Sequence, residues 1–342
     1  MVSDLGGLGD LGSFGGAFVA TAAGPVFVRR AVADRVRAGG GPDALDAESQ
    51  PGEPAVFVHG LGGESLDWAD VAQRLADRVD AYALDLPGFG ESPMPADGDM
   101  SLDAQARRVA DVIRALGRGP VHLIGNSLGG AVATLVAAEH ADVVRSLALV
   151  SPALPDLRPR VATSQLLLAL VPVLGARTLR RALHKDPEWM ARQVFAFCYG
   201  DPDAVTEAQW AAEMAAIARR AALPYSPAVY RASLWALVFA YLQPGRRRLW
   251  RQAARVGVPT LLIYGGKDRL VDARLAARAG KTFPHAHTVL MPDAGHVAHL
   301  EFPERVAATM REFLDGALGR GMSGPRGTVE GSVGRRFDGG AR

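Results

Sequence analysis

Residues Val121 to Gly130 read V-H-L-I-G-N-S-L-G-G, and this stretch decides the fold. Four mostly apolar residues, Val121, His122, Leu123 and Ile124, predict a buried strand. Gly125-Asn126-Ser127-Leu128-Gly129 then fits G-x-S-x-G, and Ala131 to Ala138, rich in Ala, Val and Leu, predicts a helix. Strand, sharp turn and helix form the context in which a serine is lifted above a sheet on a strained backbone. Glycines at 125 and 129 let strand and helix approach closely. Ser127 is the candidate nucleophile, and the Leu128 N–H, at the start of the helix, is a candidate donor to the same site. The five-residue pattern recurs by chance, and a helix with a small-residue start is the bland alternative. Its weight comes from the rest of the chain.

Working outward, Ala55 to Val58, Ala81 to Leu86 and Leu147 to Val150 predict further buried strands. Leu66 to Ala76 has helical spacing, with Leu66, Ala69, Ala72 and Leu75 along one face. Ser101 can cap a helix whose apolar stripe is Leu102, Ala106, Val109, Ile113 and Leu116, and Gly117 ends it. Alternating strands and helices from 55 to 151 predict a parallel sheet covered on both faces. Two apolar runs around Gly24-Pro25, within Ala17 to Arg30, predict an antiparallel hairpin that starts the sheet; Ala38 to Glu53 reads as a surface loop.

Between Ser151 and Gly257 the pattern changes. No buried strand is legible there, only helical segments rich in Leu, Ala, Arg and Trp, punctuated by prolines such as Pro172, Pro187 and Pro224. Alternation resumes with Thr260 to Tyr264 (strand), Asp272 to Ala279 (helix), Thr288 to Met291 (strand) and Pro303 to Asp315 (helix). The expected plan is a core of residues 17–151 and 258–316, a helical cap of residues 152–257 over the site, and disordered ends at residues 1–16 and 317–342.

Composition bounds the class. With 342 residues, 49% hydrophobic and 22% charged, the chain is an ordinary globular protein. A net charge of +2 gives no electrostatic footprint for nucleic acid. The single cysteine, Cys198, rules out an internal disulfide and reads as a small core or cap residue. Met1 to Gly16 lacks the basic residues of a secretory signal, and the longest apolar run, Leu166 to Leu174, is short for a membrane span and interrupted by Pro172. These features predict a cytoplasmic protein.

A serine hydroxyl needs a base to activate it and an acid to orient that base. When the nucleophile sits on a strand-turn-helix, acid and base follow it in that order, each after a later strand. Asp268 follows the strand Leu261 to Tyr264, through Gly265-Gly266-Lys267. His296 follows the last strand, through Pro292-Asp293-Ala294-Gly295. Ser127, Asp268 and His296 are thus the expected catalytic residues. Competing residues fit less well. His299 suits packing or a substrate-side contact, Asp272 a helix start, Asp293 a turn, and His59 the fixing of its own loop. Ser151 stands where another acid could follow a strand, so no carboxylate is available there. Acyl transfer also needs donors to the oxyanion. Leu128 N–H is one, and Leu61 N–H, in His59-Gly60-Leu61-Gly62-Gly63, is the expected second.

With these residues in place, the sequence resembles the α/β-hydrolase superfamily, in its cap-bearing serine hydrolase (esterase- or lipase-like) branch. H-G-L-G-G, D-L-P-G-F-G-E-S, G-N-S-L-G-G, G-K-D and G-H-V-A-H-L-E-F-P-E match in order, over residues 17–316. The resemblance implies a mostly parallel eight-stranded sheet flanked by helices with a helical cap, Ser127 as nucleophile, Asp268 as acid, His296 as base, oxyanion donors at Leu61 and Leu128, and no cofactor or metal. It names no substrate.

The reading that follows is a serine hydrolase acting on a carboxylic ester of a small-molecule or lipid-like acyl compound. Alternatives stay open. Asn126 stands where many esterases of the superfamily have His, and Asn there also occurs in hydrolases that cleave carbon–carbon bonds of ring-fission products. A cofactor-free perhydrolase or haloperoxidase, and a ligand-binding protein on the same scaffold, are the others. Apolar stretches Leu166–Leu174, Trp189–Tyr199 and Tyr230–Leu242 are expected to pack the cap, some of them lining an acyl pocket.

Overall fold

A computed structural model describes residues 15–31, 52–156, 186–245 and 249–317. The expectations for the chain ends, for most of the loop Ala38 to Glu53 and for Leu166–Leu174 lie outside these residues. In chain order the strands are β1 (Gly16–Thr21), β2 (Gly24–Ala31), β3 (Glu53–Val58), β4 (Val79–Leu84), β5 (Val121–Asn126), β6 (Val144–Val150), β7 (Thr260–Gly265) and β8 (Ala286–Met291). They form one sheet in the order β1-β2-β4-β3-β5-β6-β7-β8. The β1–β2 hairpin is antiparallel and β2 meets β4 antiparallel; every other neighbouring pair is parallel.

The helices are α1 (Ala69–Arg74), α2 (Leu102–Leu116), α3 (Ser127–Glu139), α4 (Pro187–Cys198), α5 (Glu207–Ala222), α6 (Ser226–Leu242), α7 (Leu249–Ala253), α8 (Leu275–Thr282), α9 (Ala298–Glu301) and α10 (Pro303–Ala317). Strand periodicity sorts the core into two layers. Val56 and Val58 of β3 face one way, with Leu123, Leu147 and Leu149, against Val109 and Ile113 of α2 and Val132 and Leu135 of α3. Ala55 and Phe57 face the other way, with Ile124 and Ala148, against Trp68, Leu75 and the α10 residues Val306 and Met310. A sheet covered on both faces explains why the central strands read as unbroken apolar runs.

Local signals hold where chemistry fixes them. Ser101 Oγ accepts the Ala104 N–H at 3.2 Å, and Gly117 ends α2 in the left-handed region at φ +65°. Among the boundaries that differ from expectation are two helix starts. The helix expected over Leu66 to Ala76 begins as a 3-10 turn, Ser65–Trp68, before α1. The helix expected from Asp272 begins at Leu275. There Asp268 Oδ1 accepts the N–H groups of Leu270 and Val271, and Asp272 Oδ1 accepts that of Arg274. Carboxylates that take up backbone donors compete with helical turns, which delays the helix.

Between β6 and β7 the described residues form helices and their connections, with no strand. Helices α4 and α5 share a small core of Ala191, Phe195, Tyr199 and Ile217, seated on Val297 and Leu300. Val229 and Leu237 of α6 join the main core. Among the described residues no helix is long and apolar enough to cross a membrane.

Candidate active site

Ser127 begins α3 directly after β5, with φ +51°. Such a φ is strained for a residue with a Cβ, of order 1–3 kcal/mol, and is held only by what surrounds it. Two close approaches hold it. A Cβ on Gly125 would stand 2.5 Å from the Gly129 carbonyl oxygen, and one on Gly129 would stand 2.4 Å from the carbonyl oxygens of Val58 and His59. Strand and helix meet backbone to backbone, as the glycine spacing implies.

The preceding residue, Asn126, is buried. Its Nδ2 donates to the carbonyls of Val150, at 3.0 Å, and His296, at 3.2 Å. The amide therefore joins the end of β5 to the end of β6 and to the loop after β8.

Asp268 follows β7 and His296 follows β8, so the sheet brings both to one edge. His296 Nδ1 and Asp268 Oδ2 lie 2.9 Å apart, and both side chains are buried. Burial alone pushes the Asp268 carboxyl up; the His296 ring beside it and the N–H groups of Val271 and Leu270 overcome this and hold it below the ordinary carboxylate range. An acceptor kept ionised at Nδ1 leaves Nε2 of a neutral ring free to take a proton. The His296 N–H donates to the Cys198 carbonyl at 2.7 Å.

Leu61 lies on a turn closed by Gly63 N–H to Gly60 O, 3.2 Å, with Gly62 at φ +78°. A left-handed third position suits glycine in such a turn. A Cβ on Gly60 would lie 3.3 Å from Ser127 Cβ, so the turn packs directly on the serine. Leu128 occupies the first turn of α3, where N–H groups have no partner within the helix. The Gly60 turn and the first turn of α3 thus both adjoin Ser127.

His59 supports this turn. Its Nε2 accepts the Leu86 N–H at 2.9 Å, so the ring proton sits on Nδ1 and is given to Gly60 O at 2.7 Å. Burial lowers its pKa, so the ring stays neutral. His299 stacks on Trp68 at 4.1 Å, and burial pushes its pKa down to about 3. Both histidines serve packing and loop geometry. Asp293 pairs with the exposed Arg305. Ser151, at φ +43°, has a buried hydroxyl. Among the described residues no cluster of three or more His, Cys, Asp or Glu side chains could hold a metal ion.

Some supporting residues carry no sequence signal of their role. Glu301 accepts the Gly295 N–H and the Gly200 N–H, each at 2.7 Å, and so ties the His296 loop to the segment after α4. Asp85 accepts the Ser65 N–H at 2.5 Å and the Glu91 N–H at 2.8 Å, which fixes D-L-P-G-F-G-E-S under the Leu61 turn. Asp67 accepts the Glu64 N–H at 3.1 Å; burial, and the Glu64 carboxylate next, push its carboxyl up to about 7. From α5, Arg220 donates to the Gly62 carbonyl at 2.5 Å. The motifs that hold Glu301 and Asp85 were visible, but Gly200 and Ser65, the donors outside them, lie 101 and 20 residues away.

Residues 54–303 match the family model of the alpha/beta hydrolase fold. The chain belongs to that family. Among curated members it is 27% identical, over 285 residues, to a 2-hydroxy-6-oxo-6-(2'-aminophenyl)hexa-2,4-dienoic acid hydrolase of Metapseudomonas resinovorans, covering 80% of this chain and 88% of that one. It is 27% identical over 287 residues to Lipase 3 of a Moraxella species, covering 78% of each. Among solved structures, a membrane phospholipase A described as a novel bacterial virulence factor superposes with TM-score 0.68 at 26% identity, covering 90% of this chain and 87% of that one. The eight-stranded, mostly parallel sheet with flanking helices is the fold of the family.

A cavity of about 660 Å³ opens between α2 and α6, lined by Met100, Leu135, Trp235 and Phe239 among others. Its described lining includes neither Ser127 nor His296. Of the aromatics between β6 and β7, Phe195 packs on Tyr199 and Trp210, and Trp235 stacks on Phe239. These contacts are mutual packing.

Proposed function

We propose that this alpha/beta hydrolase is a serine ester hydrolase, which cleaves a carboxylic ester of a small-molecule or lipid-like acyl compound through an acyl intermediate on Ser127. The observation that carries the reading is the buried His296–Asp268 pair, 2.9 Å apart, at the sheet edge where a serine sits at φ +51°. Ser127 Oγ attacks the ester carbonyl and gives its proton to His296 Nε2. The Leu61 and Leu128 N–H groups receive the oxyanion. The carbon–oxygen bond of the leaving alcohol breaks, and the alkoxide takes the proton from His296. Water then gives a proton to His296 and attacks the acyl carbon; the acid leaves and Ser127 regains its proton. Asp268 accepts the Nδ1–H throughout and steadies the imidazolium. Residues 152–257 act as the cap, and residues 17–151 and 258–316 as the core.

The lipase among the relatives supports the ester reading, and the dienoic acid hydrolase keeps a carbon–carbon reading in play. Asn126, a residue that also occurs in carbon–carbon hydrolases, spends its amide N–H groups on the carbonyls of Val150 and His296 and does not decide between the two. The test is a fluorophosphonate probe on the purified protein, followed by p-nitrophenyl esters of increasing chain length beside a ring-fission dienoate. Labelling at Ser127 with ester turnover, both lost in Ser127→Ala, is expected. Labelling with dienoate cleavage and no ester turnover would replace the reading.

A further inference from the structure

We infer that Arg220 is a positioning residue for acyl transfer: it fixes the turn that carries the Leu61 N–H, so that the helices inserted between β6 and β7 complete the oxyanion site. The inference rests on the serine hydrolase reading above.

The turn Gly60–Gly63 is anchored from the core at its ends. His59 Nδ1 holds Gly60 O, Asp67 holds the Glu64 N–H and Asp85 holds the Ser65 N–H. Its corner is different. Leu61 packs on the main core, but Gly62-Gly63 has no side chain to restrain it, and Gly62 sits at φ +78°. Glycine in that region is permissive, so the corner peptide can tilt unless something outside grips it.

The grip comes from α5. Arg220 Nη1 donates to Gly62 O at 2.5 Å, while its Nη2 donates to Glu213 Oε1 at 2.6 Å, seven residues earlier on the same helix. Glu213 thereby sets the plane of the guanidinium, a rigid fork that a lysine would not reproduce. Next to it, Arg219 closes on the buried Glu64 carboxylate, with Nε 3.1 Å from Oε2 and Nη2 on Oε1. The Tyr230 ring of α6 flanks the same glycine: a Cβ there would meet it at 3.3 Å. The corner of the turn is therefore held by residues of the inserted helices and its ends by the core. The gripped Gly62 carbonyl shares its peptide with the Gly63 N–H, which donates to Gly60 O at 3.2 Å, and Gly60 O shares its peptide with the Leu61 N–H; a tilt at the corner therefore loosens this bond and leaves the Leu61 peptide held by His59 alone. An oxyanion donor must meet the developing charge at hydrogen-bond distance, so a small misplacement costs rate more than binding.

The full-length chain with Arg220→Ala, Arg220→Lys or Glu213→Gln is compared with the wild type on one p-nitrophenyl ester, on a boronic acid that mimics the tetrahedral intermediate, and by hydrogen exchange at residues 60–64. Arg220→Ala should lower kcat by about ten- to a hundredfold while KM stays within about threefold. Boronate affinity should fall by the same factor as kcat/KM, and the Gly63 amide, bonded to Gly60 O, should exchange faster. Arg220→Lys should restore part of kcat. A raised KM at unchanged kcat would make Arg220 an ordinary substrate contact and overturn the inference; so would unaltered exchange at the turn, whatever the activity. If Arg220→Ala does not fold, Glu213→Gln carries the test through the same split. A wild type that ignores the fluorophosphonate overturns the hydrolase reading instead, and the exchange data still decide whether Arg220 holds the turn.

Discussion

Asn126 Nδ2 donates to the main-chain carbonyl of His296 at 3.2 Å, across 170 residues of chain. The residue before the proposed nucleophile thus positions the loop of the proposed base. Asn126→Ala leaves two buried carbonyls, of Val150 and His296, without this donor. The expected cost is about 1–3 kcal/mol for each acceptor left unpaired, read from urea unfolding. Ester turnover should fall with it, because His296 loses its tether.

Asp268→Asn keeps the size of the side chain and removes the charge that fixes the His296 tautomer. We expect kcat to drop by about 10³- to 10⁴-fold with KM little changed. The same carboxyl governs acid stability. Its folded pKa is held below the ordinary range, so in that window the native state binds fewer protons than the unfolded chain. Its contribution is complete above the ordinary carboxylate range and is lost as pH falls through the folded value. Melting curves against pH should show this acid-side loss in the wild type and a weaker one in Asp268→Asn.

Asp67 has the opposite sign. Its carboxyl is raised to about 7, first by burial and then by the Glu64 carboxylate, with Glu213 adding and Arg220 opposing. Between the ordinary carboxylate range and about 7 the native state keeps a proton that the unfolded chain has given up, so this group's contribution declines as pH rises through that window. Asp67→Asn should flatten that part of the melting-temperature profile. An unchanged difference between variant and wild type from acid to neutral pH would exclude the effect.

Glu301→Gln tests the second tether of the His296 loop. Two N–H groups, of Gly295 and Gly200, share this carboxylate, and an amide offers one acceptor oxygen where the carboxylate offers two. A loss of about 1–2 kcal/mol in urea unfolding is expected. Faster hydrogen exchange at Gly200 and Gly295 would locate the loss at that bridge.

Gly129→Ala tests the close approach behind the elbow. The added Cβ would meet the carbonyl oxygens of Val58 and His59 at 2.4 Å, and neither belongs to a side chain that can turn away. Destabilisation of about 1–3 kcal/mol or more is expected, measured by chemical denaturation. A stable variant with full activity would mean that the elbow tolerates separation from β3.

The sequence determined what local chemistry encodes. Apolar runs buried on both faces gave the parallel strands, glycine spacing at 125 and 129 gave the elbow, and strand-end position selected Asp268 and His296 as candidates. Each of these depends on residues close together in the chain. Helix starts at Ser65 and Leu275 were harder to read, because carboxylates of Asp67, Asp268 and Asp272 engage nearby backbone donors in turns. Only the tertiary structure decided how the loops are tied to one another. Asn126 reaches His296, Glu301 joins Gly200 to Gly295, and Arg220 reaches Gly62 across 158 residues. Such bonds link a side chain to a backbone group, and any residue type supplies that carbonyl or N–H. The backbone partner leaves no mark in the sequence, and the pairing exists only once the sheet has brought its strand ends to one edge.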